Sequence, residues 1–497
     1  MSIRRAVAAA AVLVLAVTGC NTLPQTRPGP AQSASTSLPA DPTVVLAAAT
    51  AAELAIATSQ ALFERAPVVA LAGEHDPDSQ QAAAGLAPAG VPLLLVPDGE
   101  AGTAALTTEL DRLDPVALVP FGGGASSFAE AAYAGPDQIQ VLAPDRALPD
   151  IAPAPPLASL LVLALGTDHD RAASHTAHAS GARVVTLPHP DPRADPTSIQ
   201  ALAGQPVEHL LALGEEFGPA RQLRHRVEVA STGIQLPGGG ALIYPGRRMV
   251  AIYGHPGDPN LGVLGEQPLP AAIARARQTA AQYDDLFDEP VVPTFEIITT
   301  VASSQPGPSG DYSLATPVER LRPWVDAAAE AGIYVVLDLQ PGRTDFLTQA
   351  KWYEELLREP HVGLALDPEW RLAPHQVHLE QIGTVHASEI NQVAEWLAGL
   401  TRTHRLPQKL LVLHQFRQAM IGDRVQVDTR HDDLAMLVHA DGHGTPAQKL
   451  DTWQALQVNA PEGLWWGWKN FYDEDQPTLT PAQTAEVRPM PRFISYQ

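Results

Sequence analysis

Between residues 249 and 496 the chain carries eight short apolar runs, most of them separated by stretches of helical period. The runs are Met249–Tyr253, Thr294–Ile298, Tyr334–Leu339, Val362–Leu366, Leu410–His414, Leu434–His439, Leu464–Trp468 and Phe493–Tyr496. Helical patterns lie at Ala271–Leu286, Val318–Ala331, Phe346–Leu357, Ser388–His404 and Ala447–Gln457. Eight strands alternating with helices over ~250 residues is the arithmetic of a closed, TIM-like (β/α)8 barrel. The runs are nearly all apolar, as in a parallel sheet covered by helices. The link between the fifth and sixth runs carries little helix, so one irregular crossover is expected.

In such a barrel the chemistry gathers where strands end. The exits carry, in order, His255, Glu296, Asp338 with Gln340, Asp367 with Glu369, His414 with Gln415, Asp441 with His443, Lys469 and Tyr496. Charged residues are rarely buried unpaired, so this recurrence points to a cleft; the alternative is a rim of mutually satisfied ion pairs. Two carboxylates flanking a glycosidic bond hydrolyse it when one holds a proton and the other does not. Asp338, Asp367 and Glu369 are the acid/base candidates, and His255, Glu296, His414, Asp441 and Lys469 are expected to bind and orient the ligand. Trp370, Trp465, Trp466, Trp468 and Tyr472 offer surfaces for sugar stacking or for helix-to-strand packing.

Other chemistries have weaker support. His255, His414, His439, Asp441 and His443 are suitable donors for zinc, but there is no HExxH, and no two of these histidines share a turn of one of the helical patterns above. No metal or other cofactor is therefore expected in the first reading. Ser303-Ser304 has no nucleophile elbow, and Lys469 among so many carboxylates reads as an ion pair before a Schiff base.

From Pro42 to Tyr244 short strands again alternate with Ala-rich helical stretches, the pattern of parallel α/β structure. Runs at Pro67–Ala72, Val91–Val96 and Pro115–Phe121 are followed by a second triplet at Leu160–Leu165, Ala182–Leu187 and Val207–Leu213. Landmarks recur about 90 residues apart: Gly73 with Gly166, Pro97 with Pro188, Gly122 with Gly214. This predicts a duplicated α/β unit. Gly122-Gly123-Gly124 is followed by no Lys-Ser/Thr, so it reads as a tight turn and not as a phosphate cradle. A Gly/Pro-rich connector at Leu236 to Arg247 separates this half from the barrel.

The chain opens with Arg4 and Arg5, then an apolar run from Ala6 to Val17, too short to span a bilayer at ~20 residues. It ends Val17-Thr18-Gly19-Cys20, and Cys20 is the only cysteine. That pattern resembles the bacterial lipobox, which implies a lipid (palmitate-type) acyl chain on Cys20, a membrane partner and a location outside the cytoplasmic membrane. Asn21 to Asp41, rich in Pro, Ser, Thr and Gln, reads as a disordered tether. With one cysteine, no intramolecular disulfide or Cys-based zinc site forms. The net charge of -23 argues against nucleic acid as a partner, since phosphate binding needs a basic face.

The stretches PVVALAGE, VPLLLVPD and TTELDRLDPVALVPFGGGA resemble the cell wall-binding repeat 2 family of Gram-positive surface proteins. The resemblance covers roughly 170 residues and implies a cell-wall polymer or glycan as partner; this half has few basic residues, and its one cluster of them is Arg221 to Arg226. From residue 249 onward, YGHPGDPNLGVLGE, VVLDLQPGR, VGLALDPEW, LLVLHQF, ADGHGTP and WKNFYDEDQPTLTP resemble a family of secreted or lipid-anchored bacterial barrel proteins with no established reaction.

The expected layout is a lipoprotein signal peptide over 1–20, a tether over 21–41, two α/β repeats over 42–245 and the barrel over 246–497. The expected function is that of a membrane-anchored protein at the wall whose barrel acts as a glycoside hydrolase. A non-catalytic wall-binding scaffold is the first alternative, and a metal-dependent hydrolase or deacetylase the second.

Overall fold

Eight parallel strands close into a barrel at the positions where the apolar runs fall. They are β1 (Arg248–Gly254), β2 (Val291–Ala302), β3 (Tyr334–Leu339), β4 (Val362–Leu366), β5 (Lys409–Gln415), β6 (Leu434–Ala440), β7 (Trp465–Asn470) and β8 (Phe493–Tyr496). Each pairs in parallel with its neighbours, and β1 pairs with both β2 and β8, which closes the ring. The computed structural model describes residues 32–85, 90–133, 139–152 and 154–497; the expected signal peptide and Cys20 lie outside them. Among the described residues, no helix is long and apolar enough to cross a membrane.

Helices α1 (Leu269–Ala281), α2 (Val318–Ala331), α3 (Phe346–Trp352), α4 (Ala387–Thr403), α5 (Pro446–Gln457) and the short α6 (Pro481–Ala485) follow β1, β2, β3, β4, β6 and β7. Their ends follow local chemistry. Thr445 and Gln448 form a reciprocal capping box at the start of α5, with Pro446 in the first turn. α2 stops at Gly332, whose φ of 68° is the left-handed conformation that glycine adopts freely. Between β5 and β6 there are only 3-10 turns and a two-residue strand, the irregular crossover expected from the sequence.

The side-chain period of two divides every barrel strand between two cores. Val335, Leu337, Leu411 and Leu413 face outward into the layer under α2 and α4. Met249, Val292, Val336, Ala365, Val412 and Leu437 fill the lower interior. The connector closes the base: Leu236, Ile243 and Tyr244 belong to that interior cluster, and Tyr244 packs on Trp465 at a tilt, with centroids 5.3 Å apart. Buried Arg247 clasps the connector, donating to the carbonyls of Pro237, Gly239 and Leu242. The Gly/Pro-rich connector ahead of the expected 245/246 boundary therefore contributes side chains to the barrel's own core.

The N-terminal half contains two four-stranded parallel sheets. One has the order Leu93–Val96, Val68–Gly73, Ala117–Phe121, Gln140–Val141, and the other Arg183–Thr186, Leu160–Ala164, His209–Leu213, Thr43–Leu46. The strand order is the same in both, but the fourth strand of the second sheet comes from the chain before the first. The helix Ala51–Leu62 packs against both units, and one buried cluster runs across the two, while the other face of the second sheet has a cluster of its own. Part of the expected tether is also folded: Gln32–Ser33 pairs with Ile151–Ala152, and Ser35–Thr36 with Phe63–Arg65.

The second unit docks on the barrel base through charge. Arg226 meets Asp432 at 2.6 Å, buried Arg193 meets Asp432 at 2.9 Å, and His225 meets Asp433 at 2.6 Å, just ahead of β6. Two of the basic side chains in 221–226 are thus committed within the molecule. The base is covered and the opposite end, where the strands exit, is open.

Candidate active site

Alternation carries the apolar interior upward into a polar layer. Two residues beyond Val336 comes Asp338, beyond Val412 comes His414, and beyond Leu437 comes His439, followed by Asp441. The same parity turns Tyr253, Glu296, Asp367, Lys469 and Ser495 inward. Strand closure then brings these residues together from across the sequence.

His414 is the hub. Its Nε2 lies 2.9 Å from Glu296 Oε1 and its Nδ1 2.8 Å from Asp441 Oδ2, with Asp338 Oδ1 3.9 Å from Nε2. Tyr253 donates its hydroxyl proton to Asp338 Oδ2 at 2.9 Å, and Gln340 Nε2 donates to the Tyr253 oxygen at 3.3 Å. His439 stands beside His414 with ring centroids 4.8 Å apart; its Nε2 is 3.0 Å from Ser495 Oγ.

The electrostatics follow from burial opposed by partners. Burial disfavours the charged form of His414, yet Glu296 and Asp441 outweigh it and raise the imidazole well above its ordinary range. Burial likewise works against Glu296, but His439 and His414 hold its carboxyl well below the usual carboxylate range. For Asp441, the hydrogen bond from His414 overcomes burial and lowers it. Asp338 is pushed up to about 6 by burial, with His414 opposing and Glu296 adding. Asp367 rises well above its ordinary value, again by burial first. Glu369 is pushed up to about 7 by burial and then by Asp441.

Above this layer opens a cleft of about 550 Å³. Asp367, Glu369, Asp441 and Lys469 line it, as do the rings of Tyr253, Trp370, Phe416 and Phe471. Lys469 Nζ sits 3.6 Å from the Tyr253 ring centroid, a cation–π contact that fixes the ammonium in the opening. Neither nearby arginine caps the carboxylates: Arg371 pairs with Glu389, and Arg343 lies over Tyr312 while donating to the Gln376 carbonyl. The carboxyls face ligand space.

The residues singled out from sequence thus separate into two tiers. Asp367, Glu369, Asp441 and Lys469 line the cleft; Asp338, Glu296 and His414 lie beneath it, fully buried. His255 joins neither tier. The loop after β1 doubles back so tightly that a Cβ on Gly254 would sit 2.8 Å from the Gly262 carbonyl oxygen, and His255 Nδ1 instead meets the Ile298 carbonyl at 2.9 Å. Of the aromatic candidates only Trp370 reaches the cleft. Trp466 and Trp468 pack on Trp453 of α5, and Tyr472 stacks on Tyr496.

Three contributors carried no signal as site residues. Tyr253 reads as strand core, and Ser495 as an ordinary strand serine. Asp475 lies in a loop without period, yet it accepts from the backbone of Gly444 and Phe471 and from buried Lys449, which ties the exits of β6 and β7 together. No known protein-family model matches the chain, and no curated protein matches it.

Proposed function

We propose that the barrel hydrolyses a glycosidic bond in a wall or surface glycan, with the chain held at the membrane by lipid on Cys20. The observation that carries the reading is the cleft itself: uncapped carboxylates, one of them holding its proton near neutral pH, beside rings on which sugars stack. Glu369 donates its proton to the departing glycosidic oxygen as the C–O bond breaks. Water adds to the sugar carbon and its proton passes to Asp441, which lines the same cleft. Asp367 and Lys469, which line the cleft, orient the sugar hydroxyls. Asp338, Glu296 and His414 act from below as positioning residues.

The test is release of reducing ends from isolated wall glycans by the full-length protein. Glu369→Gln, which preserves shape but has no acid proton to give, is expected to keep ligand binding and lose turnover. Binding without turnover by the parent protein on a broad glycan panel replaces this reading with that of a scaffold.

The anchor rests on the apolar run ending in Val17-Thr18-Gly19-Cys20. Cys20→Ala is expected to shift the protein from the membrane to the soluble fraction. Retention of the variant after a salt wash rejects the anchor. The two N-terminal units are read as wall-associated repeats on the strength of their shared strand order and the resemblance of the first.

A further inference from the structure

The geometry points to a divalent-cation site of the zinc class formed by Glu296, His414 and His439 in the barrel interior, one layer beneath the cleft. One donor atom from each of the three lies within 4.8 Å of the others, and all three side chains are fully buried. Two imidazoles with a carboxylate are the donor set that zinc and its neighbours favour. Asp338 Oδ1, 3.9 Å from His414 Nε2, is the next donor at hand.

A purely hydrogen-bonded cluster leaves too much unpaired. His439 Nδ1 stands 3.7 Å from Glu296 Oε1. It has no hydrogen-bond partner among the described residues, and neither do Glu296 Oε2 and Asp338 Oδ1. Buried polar atoms almost always find a partner, and here three orphans from three strands lie in one cluster. A cation among them would engage them together.

The surroundings are also built as metal sites are. A ligating histidine ordinarily has its second nitrogen held by a carboxylate, carbonyl or hydroxyl, which fixes the ring and its tautomer. His414 Nδ1 meets Asp441 and His439 Nε2 meets Ser495, so both rings have their outer nitrogens held and their inner ones turned to Glu296. Asp338 is steadied by Tyr253 through the oxygen that does not face His414. No motif announces this, because the donors come singly from β2, β5 and β6 instead of from one helix.

The site is independent of the saccharide reading, since metal content is measured without substrate. The full-length protein, purified without metal-affinity steps, is expected to hold about one zinc per chain by elemental analysis. Chelation should lower Tm, and zinc alone should restore it. Cobalt in place of zinc should give visible absorption that changes in Glu296→Gln. His439→Ala should lower zinc affinity at least tenfold. Should that variant fail to fold, Ser495→Ala keeps all three donors and, losing only the outer contact, should weaken zinc by about tenfold. A parent protein that holds no zinc and whose Tm ignores both chelator and zinc overturns the site. So does one whose zinc affinity survives Glu296→Gln and Ser495→Ala unchanged.

Discussion

Replacing Glu369 by Gln is expected to cut glycan hydrolysis by about 10²- to 10⁴-fold, the range lost when a general acid is removed. Aryl glycosides whose leaving group needs no proton should recover much of that loss. The same variant has a second readout, in stability. The Glu369 carboxyl moves from an ordinary value of 4.5 to about 7 on folding, so between those two pH values the folded chain holds a proton that the unfolded chain has released. Stability is then fully present below about 4.5, falls as pH rises to about 7 and is flat above. Gln does not ionise, so this slope disappears. Each tenfold gain in proton affinity on folding is worth ~1.4 kcal/mol, and with the carboxyl partly open to water the variant should gain about 2 kcal/mol at pH 8. Denaturant melts at pH 4 and pH 8 measure it. Unaltered turnover and an unaltered slope would remove Glu369 from the mechanism.

Asp475→Ala is expected to destabilise the barrel by about 3–5 kcal/mol, the cost of stranding one member of a buried ion pair. The stranded partner is Lys449, whose Nζ donates to Asp475 Oδ2 at 2.5 Å and to the Lys469 carbonyl at 2.6 Å. Burial already pulls the Lys449 ammonium below its ordinary range, and without Asp475 little opposes that. Replacing both residues, as in Lys449→Met with Asp475→Leu, should recover much of the loss because no charge is left uncompensated. The backbone of Phe471 is held by Asp475, and Phe471 and Lys469 line the cleft, so ligand affinity should fall together with stability. A loss under ~1 kcal/mol would place the pair among ordinary surface contacts.

All eight barrel strands were legible because each is a short apolar run bounded by turns, and α2 appears where its period placed it. Much of the polar layer was legible too. Asp338, His414 and Asp441 continue the inward parity of Val336, Val412 and Leu437, so their direction was fixed by counting in twos. The same count could have sorted the tryptophans: with Lys469 inward, Trp466 and Trp468 must face out, where α5 covers them. What parity cannot give is height and partner. Those depend on how far each strand is staggered when the barrel closes, which no single strand records. Asp338 and Asp367 both end strands, yet one lies beneath the floor and the other lines the cleft. His255 lies outside the cleft lining because a tight loop, not a strand, determines its direction. The connector reads as a divider because glycine and proline dominate it, and composition does not show that its few large side chains are core.

The strand Thr43–Leu46 has a consequence for synthesis. It is the edge of the second sheet, paired with His209–Leu213, yet it leaves the ribosome before either N-terminal unit exists. At ~5–20 residues per second, the roughly 160 residues that separate the two strands delay pairing by on the order of ten seconds. During that interval a β-branched edge stands open in a nascent chain, a template for pairing with other chains. The first unit meanwhile folds inside the loop that this strand must close. Translation speed and chaperone holding therefore bear on the yield of this protein at the second unit, well before the barrel emerges.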